Sequence, residues 1–202
     1  GILEEKTTTD LVEEGFLTKP IIQVIKVNHR DAHLSQDMSY REVYDQYLIN
    51  SDERNEVIRN IVEKVRSKDK NSKILILVKE LNHLEKLKDI IPDAYALEGK
   101  DSLEERYKVI SKFLKEDKGI LLATKIMQTG INIEEITHFI NARGYKSEIP
   151  TLQGLGRSLR KHHSKKTVYC YDFVDAEIKY LNSHSRNRIK SYRNEGHEVI
   201  IL

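Results

Sequence analysis

The sequence predicts an α/β fold built on a parallel sheet flanked by helices. From residue 74 onward, short apolar runs alternate with segments whose apolar residues recur at helical spacing. The runs are apolar at nearly every position, the mark of strands covered on both faces. The segments between them are long enough for the crossover helices that parallel strands require.

The elements follow in order. Thr7, Thr8, Thr9 and Asp10 are capping residues ahead of Leu11 and Val12, and Gly15 is placed to end that short helix. Pro20 opens a β-branched run over residues 21–27, which reads as a strand. Residues 28–39 are polar. Ser51 or Asp52 then caps a helix carrying Val57, Ile58, Ile61, Val62 and Val65 on one stripe. Residues 74–78 (Ile-Leu-Ile-Leu-Val) form the first fully apolar strand. Leu81, Leu84, Leu87, Ile90 and Ile91 make a helix stopped by Pro92. A short strand is expected at 94–97. Ser102 with Glu105 matches a capping box for a helix to about residue 115, with Tyr107, Ile110 and Leu114 facing inward. Strands are expected at 119–123, 136–140 and 167–173, then a helix over about 176–192, then a last strand at 199–202 after Gly196. Three segments result: an entry segment or linker at 1–50, the sheet-forming domain at 51–175, and a C-terminal helix and strand at 176–202 that pack on it.

Composition narrows the function. The chain has 202 residues, 39% hydrophobic and 33% charged, with a net charge of +2. No global field draws it onto nucleic acid, so such affinity must come from local clusters. The single cysteine, Cys170, excludes an intrachain disulfide and a multi-cysteine metal site, and fits a small core residue. His29 and His33 stand four apart, but no acid or thiolate motif near them completes a metal site. No run is long and apolar enough to span a bilayer, and no signal-peptide core opens the chain. The expectation is a soluble cytoplasmic protein of a bacterial or phage-infected cell, with no membrane partner. The ten tyrosines are spread out and read mostly as packing residues.

In parallel α/β sheets, ligands gather at the carboxyl ends of the strands. The segments after Val78, Leu97, Ala123 and Ile140 are therefore the places to look. Lys79 follows the first of these strands and Gly99 the second. Arg106 reads more readily as a structural ion-pair partner. After Ala123 comes Thr124-Lys125-Ile126-Met127-Gln128-Thr129-Gly130-Ile131-Asn132. Its threonine can offer a hydroxyl and an amide to a phosphate, and its glycine permits close backbone approach. Taken alone it is also an ordinary strand–turn–helix joint. Further on stands Gln153-Gly154-Leu155-Gly156-Arg157-Ser158-Leu159-Arg160, where two arginines three apart share a helix face and can fork onto phosphate oxygens. Lys161, His162, His163, Lys165 and Lys166 extend this basic cluster without an acid. It is either a solvated face or a phosphate-facing edge.

In this order the pieces resemble the second RecA-like domain of superfamily 2 DNA helicases. Q-x-x-G-R-x-x-R is similar to their motif VI and A-T-x-x-x-x-T-G-I-N to motif V. Residues 74–79 leading into Leu81-Asn82-His83-Leu84 resemble motif IV, and Gly99 followed by Arg106 and Phe113 the pattern between motifs IV and V. The resemblance extends over nearly the whole chain, including His184, Arg188, Ile189, Lys190 and Tyr192 in the tail. Phage recombination helicases and restriction-enzyme motors are the members most similar in pattern.

The resemblance implies an ATP hydrolase with roles in DNA recombination and repair, ATP and Mg2+ as cofactors, and nucleic acid, DNA by family, as partner. It implies catalytic roles for Arg160 as arginine finger, Arg157 as its phosphate-sensing neighbour, and Gln153 in positioning the water or the γ-phosphate. It assigns Gly130 and Asn132 to the nucleotide, with Asn132 standing where many relatives carry an acid. It assigns Thr124, Gly99 and Lys79 to the nucleic-acid backbone. The sequence has neither a G-x-x-x-x-G-K-[ST] phosphate loop nor a D-E-x-[DH] acidic box. In this family those belong to the first RecA-like domain, the expected intramolecular partner, without which the chain is expected to be inactive as an ATPase. The rival reading is a RecA-like module that binds nucleic acid or protein without an ATP cycle.

Overall fold

Seven strands form one sheet in the order β3-β4-β2-β5-β6-β1-β7, and every neighbouring pair runs parallel. The computed structural model describes residues 10, 12, 14–124, 134–144, 146 and 167–202. The strands are β1 (Lys19–Lys26), β2 (Ile74–Leu77), β3 (Tyr95–Leu97), β4 (Ile120–Ala123), β5 (His138–Asn141), β6 (Thr167–Val174) and β7 (Glu198–Ile201). The helices are α1 (Tyr40–Tyr44), α2 (Asp52–Lys68), α3 (Leu81–Ile90), α4 (Leu103–Lys115) and α5 (Lys179–Asn194).

The apolar runs are strands because both faces are covered. Strands β2, β4 and β5 are buried at every position. On one face Ile74, Ile76, Ile120, Leu122 and Ile140 meet Ile58, Ile61 and Val62 of α2 and Leu84 and Leu87 of α3. On the other, Leu75, Leu77, Leu121 and Phe139 meet Ile110 and Phe113 of α4 and Tyr192 of α5. Burying each such side chain is worth about 1.5–3 kcal/mol, and only a parallel sheet wrapped on both sides satisfies so many at once.

Helix starts obey local chemistry. Ser51 caps α2 by accepting from the Arg54 amide at 3.2 Å, and Ser102 with Glu105 completes the expected capping box on α4. Gly15 has φ 79°, the left-handed conformation, and its amide donates to the Val12 carbonyl at 3.0 Å.

The structure departs from the sequence expectations in four places. The entry segment is not merely a linker: β1 lies inside the sheet between β6 and β7. The polar stretch 28–39 contains a 3-10 turn, Ala32–Asp37, followed by α1, which runs on through a π turn, Asp45–Ile49. Val43, Tyr44, Tyr47, Leu48 and Ile49 bury themselves there against Ile178 and Leu181 of the tail. Tyr107 points outward, 61% exposed, because α4 turns Arg106, Ile110 and Phe113 to the sheet instead. Arg106 has no ion-pair partner among the described residues: its guanidinium serves backbone carbonyls.

Candidate nucleic-acid interface

The carboxyl ends of four adjacent strands lie flush. The Val78 amide donates to the Ala123 carbonyl at 3.0 Å, that of Thr124 to Leu97 at 3.3 Å, and that of Ala142 to Leu77 at 2.9 Å. The residues that follow the strands therefore emerge side by side. In the order β3, β4, β2 these are Gly99, Thr124 and Lys79, the three residues expected to meet a nucleic-acid backbone. Adjacent strands are about 4.8 Å apart, so the row spans on the order of 10 Å.

Each is held differently. Gly99 is exposed, and its loop is clamped from below by Arg106. Arg106 Nε donates to the Asp101 carbonyl at 2.7 Å, and its terminal nitrogen to Glu98 at 3.2 Å and Gly99 at 2.8 Å. With its carbonyls turned down onto the guanidinium, the loop has its rim facing outward. Thr124 is half-buried. Lys79 Nζ sits 4.6 Å from the centre of the Tyr44 ring and 3.2 Å from Glu80, with its side chain 32% exposed. Tyr44 in turn donates its hydroxyl to the Arg143 carbonyl at 2.9 Å. Helix α1 thus lies over the carboxyl ends of β2 and β5, a placement absent from the sequence reading. The Ser39-x-x-Glu42 capping box, present in the structure, is the sequence signal for that helix.

Gly130, Asn132, Gln153, Arg157 and Arg160 lie outside the described residues, as does the basic cluster at 161–166.

Two buried ionic clusters anchor this edge from behind, and neither was read from the sequence. Asp172 of β6 accepts from Arg188 Nε at 2.9 Å and from its terminal nitrogen at 2.9 Å, from the Tyr192 hydroxyl at 2.8 Å, and from Asn141 at 3.2 Å. Arg143 Nε donates to Asn141 at 3.0 Å, which carries the cluster to the end of β5. Burial opposes the charge on Asp172, but the Arg188 guanidinium and its hydrogen bonds hold the pKa below the ordinary carboxylate value. Asp175 accepts from Arg54 at 2.6 and 2.8 Å and pairs with His29 Nε2 at 2.8 Å. Here too burial opposes the charge and Arg54 overcomes it, leaving the pKa lowered.

Ser51 Oγ lies 3.3 Å from His29 Nδ1, so Ser51, His29 and Asp175 mimic a nucleophile relay. It is structural: the serine oxygen caps α2, and the carboxylate is shared with fully buried Arg54. Both ring nitrogens of His29 are thereby engaged, which removes it as a metal ligand, while His33 is exposed on the 3-10 turn. Among the described residues no group of three His, Cys, Asp or Glu is placed to hold a metal ion. Among them, too, no helix is long and apolar enough to cross a membrane.

Comparison with known proteins agrees with this fold. Residues 52–162, more than half of the chain, match the family of the helicase conserved C-terminal domain. The chain is 27% identical over 223 residues to the ATP-dependent DNA helicase uvsW of Enterobacteria phage T4, covering 99% of this chain and 44% of that protein. It therefore spans less than half the length of that relative. The crystal structure of T4 UvsW superimposes with a TM-score of 0.76 at 23% identity, over 92% of this chain and 41% of that one. The C-terminal domain of the DEAD-box protein Dbp5 superimposes with a TM-score of 0.60 at 15% identity, over 92% of this chain and 89% of that one. A parallel sheet wrapped on both faces, the strand ends aligned as above, and a family match through its centre lead to one assignment: the chain belongs to the helicase conserved C-terminal domain family and has its RecA-like fold.

Proposed function

We propose that the chain is the second motor lobe of an ATP-dependent nucleic-acid translocase and that its carboxyl edge carries one strand. The observation behind this is the alignment of Gly99, Thr124 and Lys79 on the consecutive strands β3, β4 and β2. A glycine loop, a threonine and a lysine in a row provide backbone amide, hydroxyl and ammonium donors to successive phosphates. None of them reads a base, so binding at this row is insensitive to sequence and strongly salt-dependent. DNA is the favoured strand, because the phage relative that covers nearly the whole chain is a DNA helicase by name.

ATP with magnesium, when bound, supplies the phosphoryl chemistry that closes and reopens a cleft between two lobes. The sequence pattern assigns Arg160, Arg157 and Gln153 to the phosphates and Gly130 and Asn132 to the nucleotide edge. An arginine finger contributes on the order of a thousandfold in rate. The phosphate loop and acidic box that hold magnesium belong in this reading to a first RecA-like lobe. Alone, the chain then binds strands without turning over ATP.

The reading is tested by joining the chain to such a lobe. Arg160→Ala should abolish nucleic-acid-stimulated hydrolysis while strand affinity holds. Lys79→Ala should weaken binding of every oligonucleotide about equally and reduce the salt slope by about one. Undiminished turnover in the first variant removes the finger, and unchanged affinity and slope in the second remove the strand track.

A further inference from the structure

Among the described tyrosines Tyr40 and Tyr180, 36% and 41% exposed, lie together. Their ring centres are 5.9 Å apart at 70°, and Tyr40 also meets Tyr44 at 5.9 Å and His184 at 5.2 Å, each edge to face. His184 and Tyr44 tie this cluster to the strand ends: His184 Nδ1 is 3.3 Å from the Gly144 carbonyl, and the Tyr44 ring carries Lys79. An exposed aromatic pair therefore continues the row Gly99, Thr124, Lys79 beyond its lysine end.

Beside Tyr180 opens a recess of about 560 Å³ lined by His33, Ser35, Gln36, Glu177 and Lys179. Three of the carboxylates nearby are already engaged. Glu177 is 3.7 Å from Lys26, Glu80 lies between Lys79 and Arg41, and Asp45 is paired with Arg41 at 3.0 Å. Lys179 has no carboxylate partner among the described residues, and the charge of Lys146 acts on His184. The surroundings thus offer a planar ring, hydrogen-bonding side chains and a lysine, which suit an unpaired nucleobase and its phosphate.

We propose that Tyr180, backed by Tyr40, is a stacking platform for one unpaired base of the strand held at the carboxyl edge, with the base seated against the recess of His33, Gln36 and Lys179. This rests on the reading that the edge carries nucleic acid, and it adds a contact to the base rather than the backbone. Every base has a π-face, so the platform strengthens grip without reading sequence.

The chain contains no tryptophan, so Tyr180→Trp introduces a single reporter at the platform. Its emission should be quenched by an oligothymidylate and stay unchanged with an abasic oligonucleotide of equal length. Tyr180→Ala should weaken oligothymidylate binding about tenfold, Tyr180→Phe should not, and abasic binding should be the same in all three. Far-UV circular dichroism confirms that each variant is folded. Oligothymidylate binding without quenching, or equal losses on both oligonucleotides in Tyr180→Ala, overturns the platform and leaves the motor reading intact. Failure of the unaltered chain to bind any oligonucleotide overturns both.

Discussion

Replacing Arg188 with methionine should cost the protein a large share of its stability. Arg188 and Asp172 have side chains only 2% and 3% exposed, and their contact includes two bonds of 2.9 Å. Methionine keeps much of the apolar stem but leaves the carboxylate with the Tyr192 hydroxyl, the Asn141 amide and the Phe173 amide as donors. Removing one partner of a buried pair costs about 3–5 kcal/mol, against a total of about 5–15 kcal/mol for a native protein. For a chain of this size that lowers Tm by about 10 °C. Urea unfolding followed by far-UV circular dichroism measures it. Asp172→Asn in the same background should return part of the loss, because it removes the stranded charge. Acid should discriminate as well. The Asp172 pKa is lowered in the folded state, so its contribution is present above the ordinary carboxylate pKa and lost as pH falls through the lowered value. The stability gap between the parent and Arg188→Met should therefore narrow as pH falls through that range. A loss below about 1 kcal/mol, with the two substitutions additive, would refute the reasoning.

Three further expectations follow from other parts of the molecule. Gly144→Ala should destabilise by about 1–3 kcal/mol, since Gly144 has φ +64° and an added Cβ would lie 2.1 Å from Leu48 Cδ1; in a Leu48→Ala background, itself less stable, the same substitution should lower the melting temperature less. Arg106→Ala should open the Gly99 loop, seen as faster amide exchange at residues 98–101 and weaker oligonucleotide binding, because three carbonyls lose their donor. His83 is buried against Asn55 with a pKa lowered to about 3, burial being the main cause and Arg54 the next. The unfolded chain takes up that proton near pH 6.5, so stability should decline below pH 6.5 by about 1.4 kcal/mol per unit down to about pH 3; a slope unchanged by His83→Gln would contradict this.

Where both faces of an element are covered, the sequence carries the information plainly. Residues 74–78 and 119–123 are apolar throughout and became β2 and β4, while the Leu84 and Leu87 stripe became the buried face of α3. Helix α1 escaped because it is five residues long and follows a polar run; its signal was the Ser39 and Glu42 box rather than periodicity. Tyr107 misled because an aromatic residue at helical spacing looks like core, whereas Arg106 took the inward position to reach three carbonyls. Asp172 and Asp175 were visible as acids in or beside an apolar strand. Their partners were not, since Arg54 is 121 residues from Asp175 and no local pattern joins them. The row of Gly99, Thr124 and Lys79 was legible once the strands were taken as parallel, because parallel strands bring successive carboxyl ends to one edge. Its extension through Tyr40 and Tyr180 depends on α1 and so became visible only in three dimensions.

The insertion of β1 between β6 and β7 has a bearing on how the molecule is made. Lys19 pairs with Thr167 and Lys26 with Val174, so β2 to β5 and their helices all lie between the two halves of that ladder in sequence. Such long-range closure is slow, and its entropy must be met before the contacts reward it. During synthesis β1 waits unpaired until β6 has left the ribosome. Removing β1 would then do more than trim an edge, since it would deprive both β6 and β7 of a neighbour.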